Sequence, residues 1–200
     1  MPTPIELIFD FGSPNAYLSW KVLPGLAREI GAPVTITPAL LGGIFKATGN
    51  QAPMMAFGGV KGKLDYESLE MRRFIEKHAL TRFRFNPNFP VNTLVLMRGL
   101  VAAQAHGVQD AYLEAGLAAM WEDGEPMADP DTFVRVMDAA GLNGAQLLEQ
   151  TQDPEVKGTL AANTDHAVER GVFGIPTFFV GTEMFFGKER LGQVIEAAAL

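Results

Sequence analysis

The feature that most constrains this chain is a short apolar strand, residues 5–9, that leads within a few residues into a helix start. Ser13 suits the N-cap and Pro14 suits the first helical position, because a proline there loses no hydrogen bond. The serine hydroxyl is therefore expected at the positive end of a helix dipole, close to the end of a strand, where anions are favoured. The chain has no cysteine, so a thiolate at this position has to come from a bound small molecule.

Residues 1–39 have the pattern of a β-α-β unit. Helical periodicity over 17–30 stops at Gly31, and Pro24 predicts a kink inside this helix. A second short strand is expected over 34–37. Two strands joined through a helix favour a parallel pair with a right-handed crossover.

Between residues 40 and 171 the sequence is mainly helical. The pairs Asp129-Pro130 and Asp153-Pro154 are typical helix starts, with aspartate as the cap and proline at the first position. The segment 49–62 is rich in glycine, proline and methionine, and it is expected to be the most mobile part. The predicted helices cover 64–78, 93–105, 109–122, 131–140, 144–150 and 154–170.

Strand patterns return near the C-terminus. Residues 177–180 and 183–186 are predicted to form a hairpin around Gly181-Thr182, and 188–199 a final helix. This order, β-α-β, a helical insertion and β-β-α, resembles a thioredoxin fold. The predicted fold class is α/β, with residues 1–39 and 172–200 as a discontinuous thioredoxin-like domain and 40–171 as an inserted all-helical domain.

The composition argues against several classes of function. Without cysteine there is no disulfide, no thiolate metal site and no redox dithiol. The three histidines have no ligand spacing, so no metal site is expected. A net charge of −7 argues against binding to nucleic acid or to anionic membranes. No signal peptide or transmembrane segment is recognisable, and a cytoplasmic location is expected.

Four segments carry a resemblance to a known family. They lie within 9–18, 41–50, 86–93 and 171–191, and they contain the strings FDFGSP, LGGIFKATGN, NPNFPVNT, GVFGIP and FGKERL. In order and spacing they are similar to the family of 2-hydroxychromene-2-carboxylate isomerases and kappa-class glutathione transferases, a DsbA-like branch of the thioredoxin superfamily. The resemblance covers essentially the whole chain.

The resemblance implies that glutathione is a cofactor and that the Ser13 hydroxyl hydrogen-bonds to its sulfur. A helix cap alone is the alternative role of Ser13. It also implies that Ile175, before a proline that is commonly cis in this fold, offers its backbone to the cysteinyl part of glutathione. An ordinary proline at a strand start is the alternative for Pro176. The implied cofactor-binding residues are Ser13, Asn50, Ile175, Pro176, Lys188 and Glu189.

Lys188 and Glu189 lie where the family carries a polar-acidic pair that holds the glutamyl part, although aspartate is common where this chain has Glu189. Lys46 would offer a cation to a substrate carboxylate, with a solvated charge as its alternative. Asn92 is expected mainly as the N-cap of the helix over 93–105 and only secondly as a substrate contact. The implied substrate-binding residues are Lys46, Asn50, Phe74 and Asn92, and Phe74 stands where related isomerases often have tryptophan.

The implied activity is glutathione-dependent isomerisation of a carboxylated aromatic or chromene-type compound, with the chain acting as a homodimer. A kappa-class transferase or peroxidase, in which the glutathione adduct leaves as product, is one alternative. A non-catalytic thioredoxin-fold module that binds an extended peptide at Ile175-Pro176 is another.

Overall fold

A four-stranded mixed sheet organises the protein, which a computed structural model describes over all 200 residues. The strands are β1 (Ile5–Phe9), β2 (Val34–Pro38), β3 (Thr177–Val180) and β4 (Glu183–Phe186), in the order β2-β1-β3-β4. β1 pairs in parallel with β2 and antiparallel with β3, which forms a hairpin with β4. The predicted thioredoxin fold is confirmed, including its parallel pair and its hairpin.

The predicted single helix over 17–30 is wrong, because the structure has two helices there. They are α1 (Pro14–Trp20) and α2 (Leu23–Ile30). Pro24 lies in the first turn of α2, where its missing N–H removes no hydrogen bond, so it starts a second helix instead of kinking one. Gly31 ends α2 in the left-handed conformation with φ 72°, as predicted.

Eight helices connect β2 to β3. The six predicted ones are confirmed to within one residue at each end, and Asp129 and Asp153 cap two of them through their side chains. Two short helices, α3 and α4, were not predicted, and α4 lies inside the segment expected to be most mobile. The helices are α3 (Leu41–Thr48), α4 (Pro53–Phe57), α5 (Lys63–Lys77), α6 (Leu94–Ala105), α7 (Gln109–Trp121), α8 (Pro130–Ala139), α9 (Gly144–Gln150) and α10 (Pro154–Glu169).

The end of the chain differs slightly from the predicted helix over 188–199. It begins with a 3-10 turn, Lys188–Arg190, and continues as α11 (Leu191–Ala198). The 3-10 turn packs against α1. None of the helices is both long and apolar enough to cross a membrane.

The sheet and the helical segment share one apolar core of 41 buried residues. Phe11, just after β1, packs edge-on against Phe9 and Tyr112, with ring centroids 4.9 and 6.1 Å apart. Trp121 at the end of α7 donates its indole N–H to the Phe11 carbonyl at 2.8 Å. Because this core is continuous, the division of the chain into residues 1–39 with 172–200 and an insertion 40–171 stays a prediction.

The segment 45–85 is an exception, because it contains no buried residue. Both α4 and α5 lie within it. Apolar side chains usually leave water on folding, yet several large ones here are exposed. We call this surface the α4–α5 face, and its exposed apolar residues are Met54, Met55, Phe57, Val60 and Tyr66.

Candidate functional site

Ser13 joins the start of α1 to the loop before β3. Its Oγ accepts a hydrogen bond from the Ala16 N–H at 3.2 Å, which confirms the predicted helix cap. The same hydroxyl donates to the carbonyl of Ile175 at 2.9 Å, across 162 residues of sequence. Ser13 is only 4% exposed. The fold therefore brings together the two residues at the centre of the predicted site.

Ile175 has one backbone group engaged and one available. Its carbonyl accepts from Ser13, whereas its N–H takes part in no hydrogen bond within the chain. The peptide bond from Ile175 to Pro176 is cis, and the Pro176 carbonyl accepts from the Gly187 N–H at 3.0 Å. A backbone N–H without a partner is unusual in a residue as buried as Ile175.

Asn50 reaches the same loop from the end of α3. Its Nδ2 donates to the Phe173 carbonyl at 2.7 Å, and its Oδ1 accepts from the Gln51 N–H at 2.8 Å. The Phe173 ring packs against Phe186 of β4, with centroids 4.6 Å apart. The Asn50 amide thus contacts the loop that contains Ile175, while its contact with glutathione or substrate stays a prediction.

Lys188 and Glu189 form an ion pair in the 3-10 turn that packs against α1. The Lys188 side chain is 4% exposed, and its Nζ lies 5.7 Å from the centre of the Phe74 ring. Phe74 in turn packs on His78, whose pKa is lowered by burial and then by the charge of Lys77. Three predicted residues, Phe74, Lys188 and Glu189, thus form one cluster.

Lys46 and Asn92 are placed differently from the other predicted residues. Lys46 is exposed on α3 and forms no ion pair. Asn92 is also exposed, and the prediction that it is the N-cap of α6 is wrong, because Thr93 occupies that position. Asn92 lies one residue earlier, where its Oδ1 accepts from the Leu94 N–H at 3.0 Å. It therefore supports the helix start from outside.

Asp10 is a buried residue of the site to which the sequence assigned no role. Its Oδ1 accepts from the Gly12 N–H at 2.8 Å and from the Thr93 hydroxyl at 2.7 Å, and its Oδ2 accepts from the Leu41 N–H at 2.8 Å. Burial raises the pKa of Asp10, and the three hydrogen bonds oppose this shift only in part. Asp10 thus ties the turn before Ser13 to the starts of α3 and α6. A single carboxylate directly after an apolar strand is the signal that could have found it.

A second buried carboxylate anchors the far side of α1. Glu122 accepts the Tyr17 hydroxyl at 2.9 Å and lies 2.6 Å from the Arg82 guanidinium and 3.6 Å from the Lys21 ammonium. Its side chain is almost completely buried. Burial and this hydrogen bond raise the pKa of Tyr17 far above its usual range. These contacts anchor α1, whose N-cap is Ser13.

No group of histidine, aspartate and glutamate residues is arranged to hold a metal ion.

Comparison with known proteins identifies the family. The model of the DSBA-like thioredoxin domain matches residues 4–199. The chain belongs to the DSBA-like thioredoxin family. Unlike a dithiol oxidoreductase, this family member has a serine as the N-cap of α1 and has no cysteine for redox chemistry.

Two groups of relatives in the DSBA-like family are similar over nearly the whole chain. A 2-hydroxychromene-2-carboxylate isomerase from Sphingobium xenophagum is 28% identical over 96% of this chain and 95% of its own length. Glutathione S-transferase kappa 1 from Homo sapiens is 26% identical over 96% of this chain and 88% of its own length. The relatives are named as enzymes, and this family member is an enzyme as well, as predicted.

Solved structures agree with the fold. A structure of 2-hydroxychromene-2-carboxylate isomerase superposes with a TM-score of 0.82 at 26% identity, and covers 96% of this chain and 93% of that one. A probable DsbA oxidoreductase from Streptomyces coelicolor superposes with a TM-score of 0.72 at 18% identity, over 98% of this chain and 88% of that one. The second likeness concerns the fold alone.

Proposed function

We propose that this chain is a glutathione-dependent isomerase of a carboxylated aromatic or chromene-type compound. The observation that carries the proposal is the buried Ser13 hydroxyl, held at the start of α1 against the Ile175 loop. The similarity to 2-hydroxychromene-2-carboxylate isomerases over 96% of the chain supports the choice of reaction. The chain supplies no thiol of its own, so the nucleophilic sulfur is that of the cofactor.

The residues of the site fit glutathione. The unpaired Ile175 N–H is a donor for the backbone of an extended peptide. The Ser13 hydroxyl is a donor for sulfur, and a hydrogen bond to the charged form of a group lowers its pKa. The carboxylate of Glu189, half exposed beside Lys188, suits an ammonium group. We assign cofactor binding to Ser13, Asn50, Ile175, Pro176, Lys188 and Glu189.

When bound, glutathione supplies a thiolate that adds reversibly to an electron-poor carbon and so permits rotation about a former double bond. The Ser13 hydroxyl stabilises the thiolate by donating a hydrogen bond to the sulfur. This lowers the thiol pKa of about 8.5 by about one to two pH units. Lys46 has no partner of its own and is suited to a substrate carboxylate. We assign substrate binding to Lys46, Asn50, Phe74 and Asn92.

The assay that tests this proposal follows a 2-hydroxychromene-2-carboxylate with a small amount of glutathione. We expect the isomerisation to reach equilibrium over many turnovers per glutathione while the concentration of free thiol stays constant, because the cofactor is regenerated. S-Methylglutathione has no thiol, so it should bind at the site and support no turnover. Absence of isomerisation at saturating glutathione would contradict the proposal.

A kappa-class transferase is the second candidate, because a glutathione S-transferase kappa 1 is similar over 96% of the chain. In that case a model electrophile would consume glutathione in proportion to a stable conjugate. A peptide-binding module would instead bind an extended peptide at Ile175 without requiring a thiol. A cytoplasmic location suits each glutathione-dependent activity, since thiols are kept reduced there.

We further propose that the chain forms a homodimer through the α4–α5 face. The support is the run of exposed apolar side chains in a segment of the chain that contains no buried residue. Met55→Lys should weaken dimerisation at least about tenfold, because a charge would be buried at the interface. Light scattering over a concentration series measures this. Met184→Lys on β4 is the matched control, and a dimer that tolerates Met55→Lys contradicts this interface.

A further inference from the structure

The single proton of the Ser13 hydroxyl is already in use. Ser13 Oγ lies 2.9 Å from the Ile175 carbonyl oxygen, and both residues are more than nine-tenths buried. A hydroxyl donates only one proton. The other contact of this hydroxyl, with the Ala16 N–H, occupies a lone pair. In this arrangement Ser13 cannot donate to a sulfur at the same time.

Ile175 is also the residue with which an extended ligand pairs. Its N–H has no partner in the chain, whereas its carbonyl accepts from Ser13. Strand pairing with one residue uses both groups, because the ligand's carbonyl meets the N–H and the ligand's N–H meets the carbonyl. The ligand's N–H therefore competes with the Ser13 hydroxyl for the same oxygen.

We propose that the peptide backbone of the thiol ligand displaces the Ser13 hydroxyl from the Ile175 carbonyl. The hydroxyl then donates its hydrogen bond to the ligand's sulfur instead. This inference rests on the proposed function for the nature of the ligand. The class of cofactor that the site accepts is then a thiol with an adjoining amide N–H. With a thiol that lacks this amide, the Ser13 hydroxyl stays hydrogen-bonded to the Ile175 carbonyl. The pKa of that thiol then stays at its ordinary value of about 8.5.

Two ligands separate the steps of this switch. Glutathione brings both the backbone and the sulfur, whereas γ-glutamyl-alanyl-glycine brings the backbone alone. The second ligand must break the bond between Ser13 and Ile175 without offering the hydroxyl a sulfur in return. In Ser13→Ala the carbonyl of Ile175 is free from the start, so this cost disappears.

Calorimetric titration of both ligands tests the proposal. Ser13→Ala should bind γ-glutamyl-alanyl-glycine about fivefold more tightly than the wild type, and glutathione about fivefold more weakly, as expected for one hydrogen bond. Ser19→Ala is the matched control, because Ser19 is buried in the same helix and its hydroxyl has no hydrogen-bond partner. That variant should leave both affinities unchanged.

The possible failures are distinguishable. A carbonyl oxygen has two lone pairs, so Ile175 could accept from both Ser13 and the ligand. In that case Ser13→Ala would not bind γ-glutamyl-alanyl-glycine more tightly, and the switch would be overturned while glutathione binding stands. No saturable binding of glutathione to the wild type would overturn both the switch and the proposed function.

A second measurement needs only the wild-type protein. The ultraviolet absorbance of the thiolate reports the pKa of a thiol at the site. We expect a lowered pKa with glutathione and no shift with 2-mercaptoethanol, which has no amide. An equal shift with both thiols would show that the hydroxyl is available without a peptide backbone, and it would overturn the switch.

Discussion

Replacing Ser13 with alanine should lower the glutathione-dependent turnover about 100-fold, as for the loss of one donor to a developing anion. The hydroxyl is the side-chain donor at Ile175, and without it the thiol of the proposed cofactor is less ionised at neutral pH. The same change removes a helix cap, which lowers the free energy of unfolding by only about 1 kcal/mol. Steady-state kinetics at saturating glutathione and urea unfolding measure the two effects.

The Ser13 result is specific only if the fold is retained. Ser19→Ala removes a hydroxyl from the same helix without breaking a hydrogen bond, so its turnover should match that of the wild type. A more alkaline pH should restore part of the activity of Ser13→Ala, because the thiol then ionises without help. Wild-type turnover by Ser13→Ala at saturating glutathione would exclude a catalytic role for Ser13.

Asp10→Ala should lower the free energy of unfolding by about 3 kcal/mol, since it leaves two partly buried backbone donors and one buried hydroxyl without a partner. Two of the groups that lose their acceptor are the backbone N–H groups of Gly12 and Leu41, and the third is the Thr93 hydroxyl. Urea unfolding measures the loss. A change of less than about 1 kcal/mol would show that these donors find water instead.

The cost of Asp10→Ala should also depend on pH. Burial raises the pKa of Asp10 in the folded protein, so its contribution to stability is complete below the unfolded pKa of about 3.9 and declines as pH rises through the folded pKa. The loss of unfolding free energy on Asp10→Ala is therefore larger at acidic than at neutral pH.

Asp129→Ala is the control and should show the opposite pH dependence, because the hydrogen bonds from Thr132 lower the pKa of Asp129. Its contribution is present above the unfolded pKa and is lost as pH falls. A loss on Asp10→Ala that grows towards neutral pH would contradict a raised pKa.

Local sequence signals predicted the elements whose ends are determined locally. Ser13-Pro14, Asp129-Pro130 and the turn at Gly181-Thr182 each contain their own cap or turn residues, and the structure has a helix start or a hairpin at each. Pro24 is ambiguous by contrast, because a proline either kinks a helix or opens one. Whether Pro24 kinks a helix or opens one depends on the backbone hydrogen bonds around it. The sequence does not show these bonds.

The missed helix start at α3 depends on a distant residue. Leu40 precedes α3 and offers no side-chain cap, while Gly42 and Gly43 are poor helix formers. The missing acceptor is supplied by Asp10, 31 residues earlier, which accepts the Leu41 N–H. The Thr93 hydroxyl at the start of α6 binds the same carboxylate across 83 residues. No local pattern contains these contacts, so the sequence predicts Asn92 as the cap of α6 and assigns no role to Asp10.

The hydrogen bond between Ser13 and Ile175 has a consequence for the synthesis of the protein. Its two partners lie 162 residues apart, so the second one leaves the ribosome long after the first. Until then β1 has no antiparallel partner, because β3 begins two residues after Ile175. A nascent chain that has not yet reached Ile175 carries Ser13 without its partner. The proposed cofactor site should therefore form only after β3 has been made, and a chain that stalls before Ile175 should be inactive however well its helices have formed.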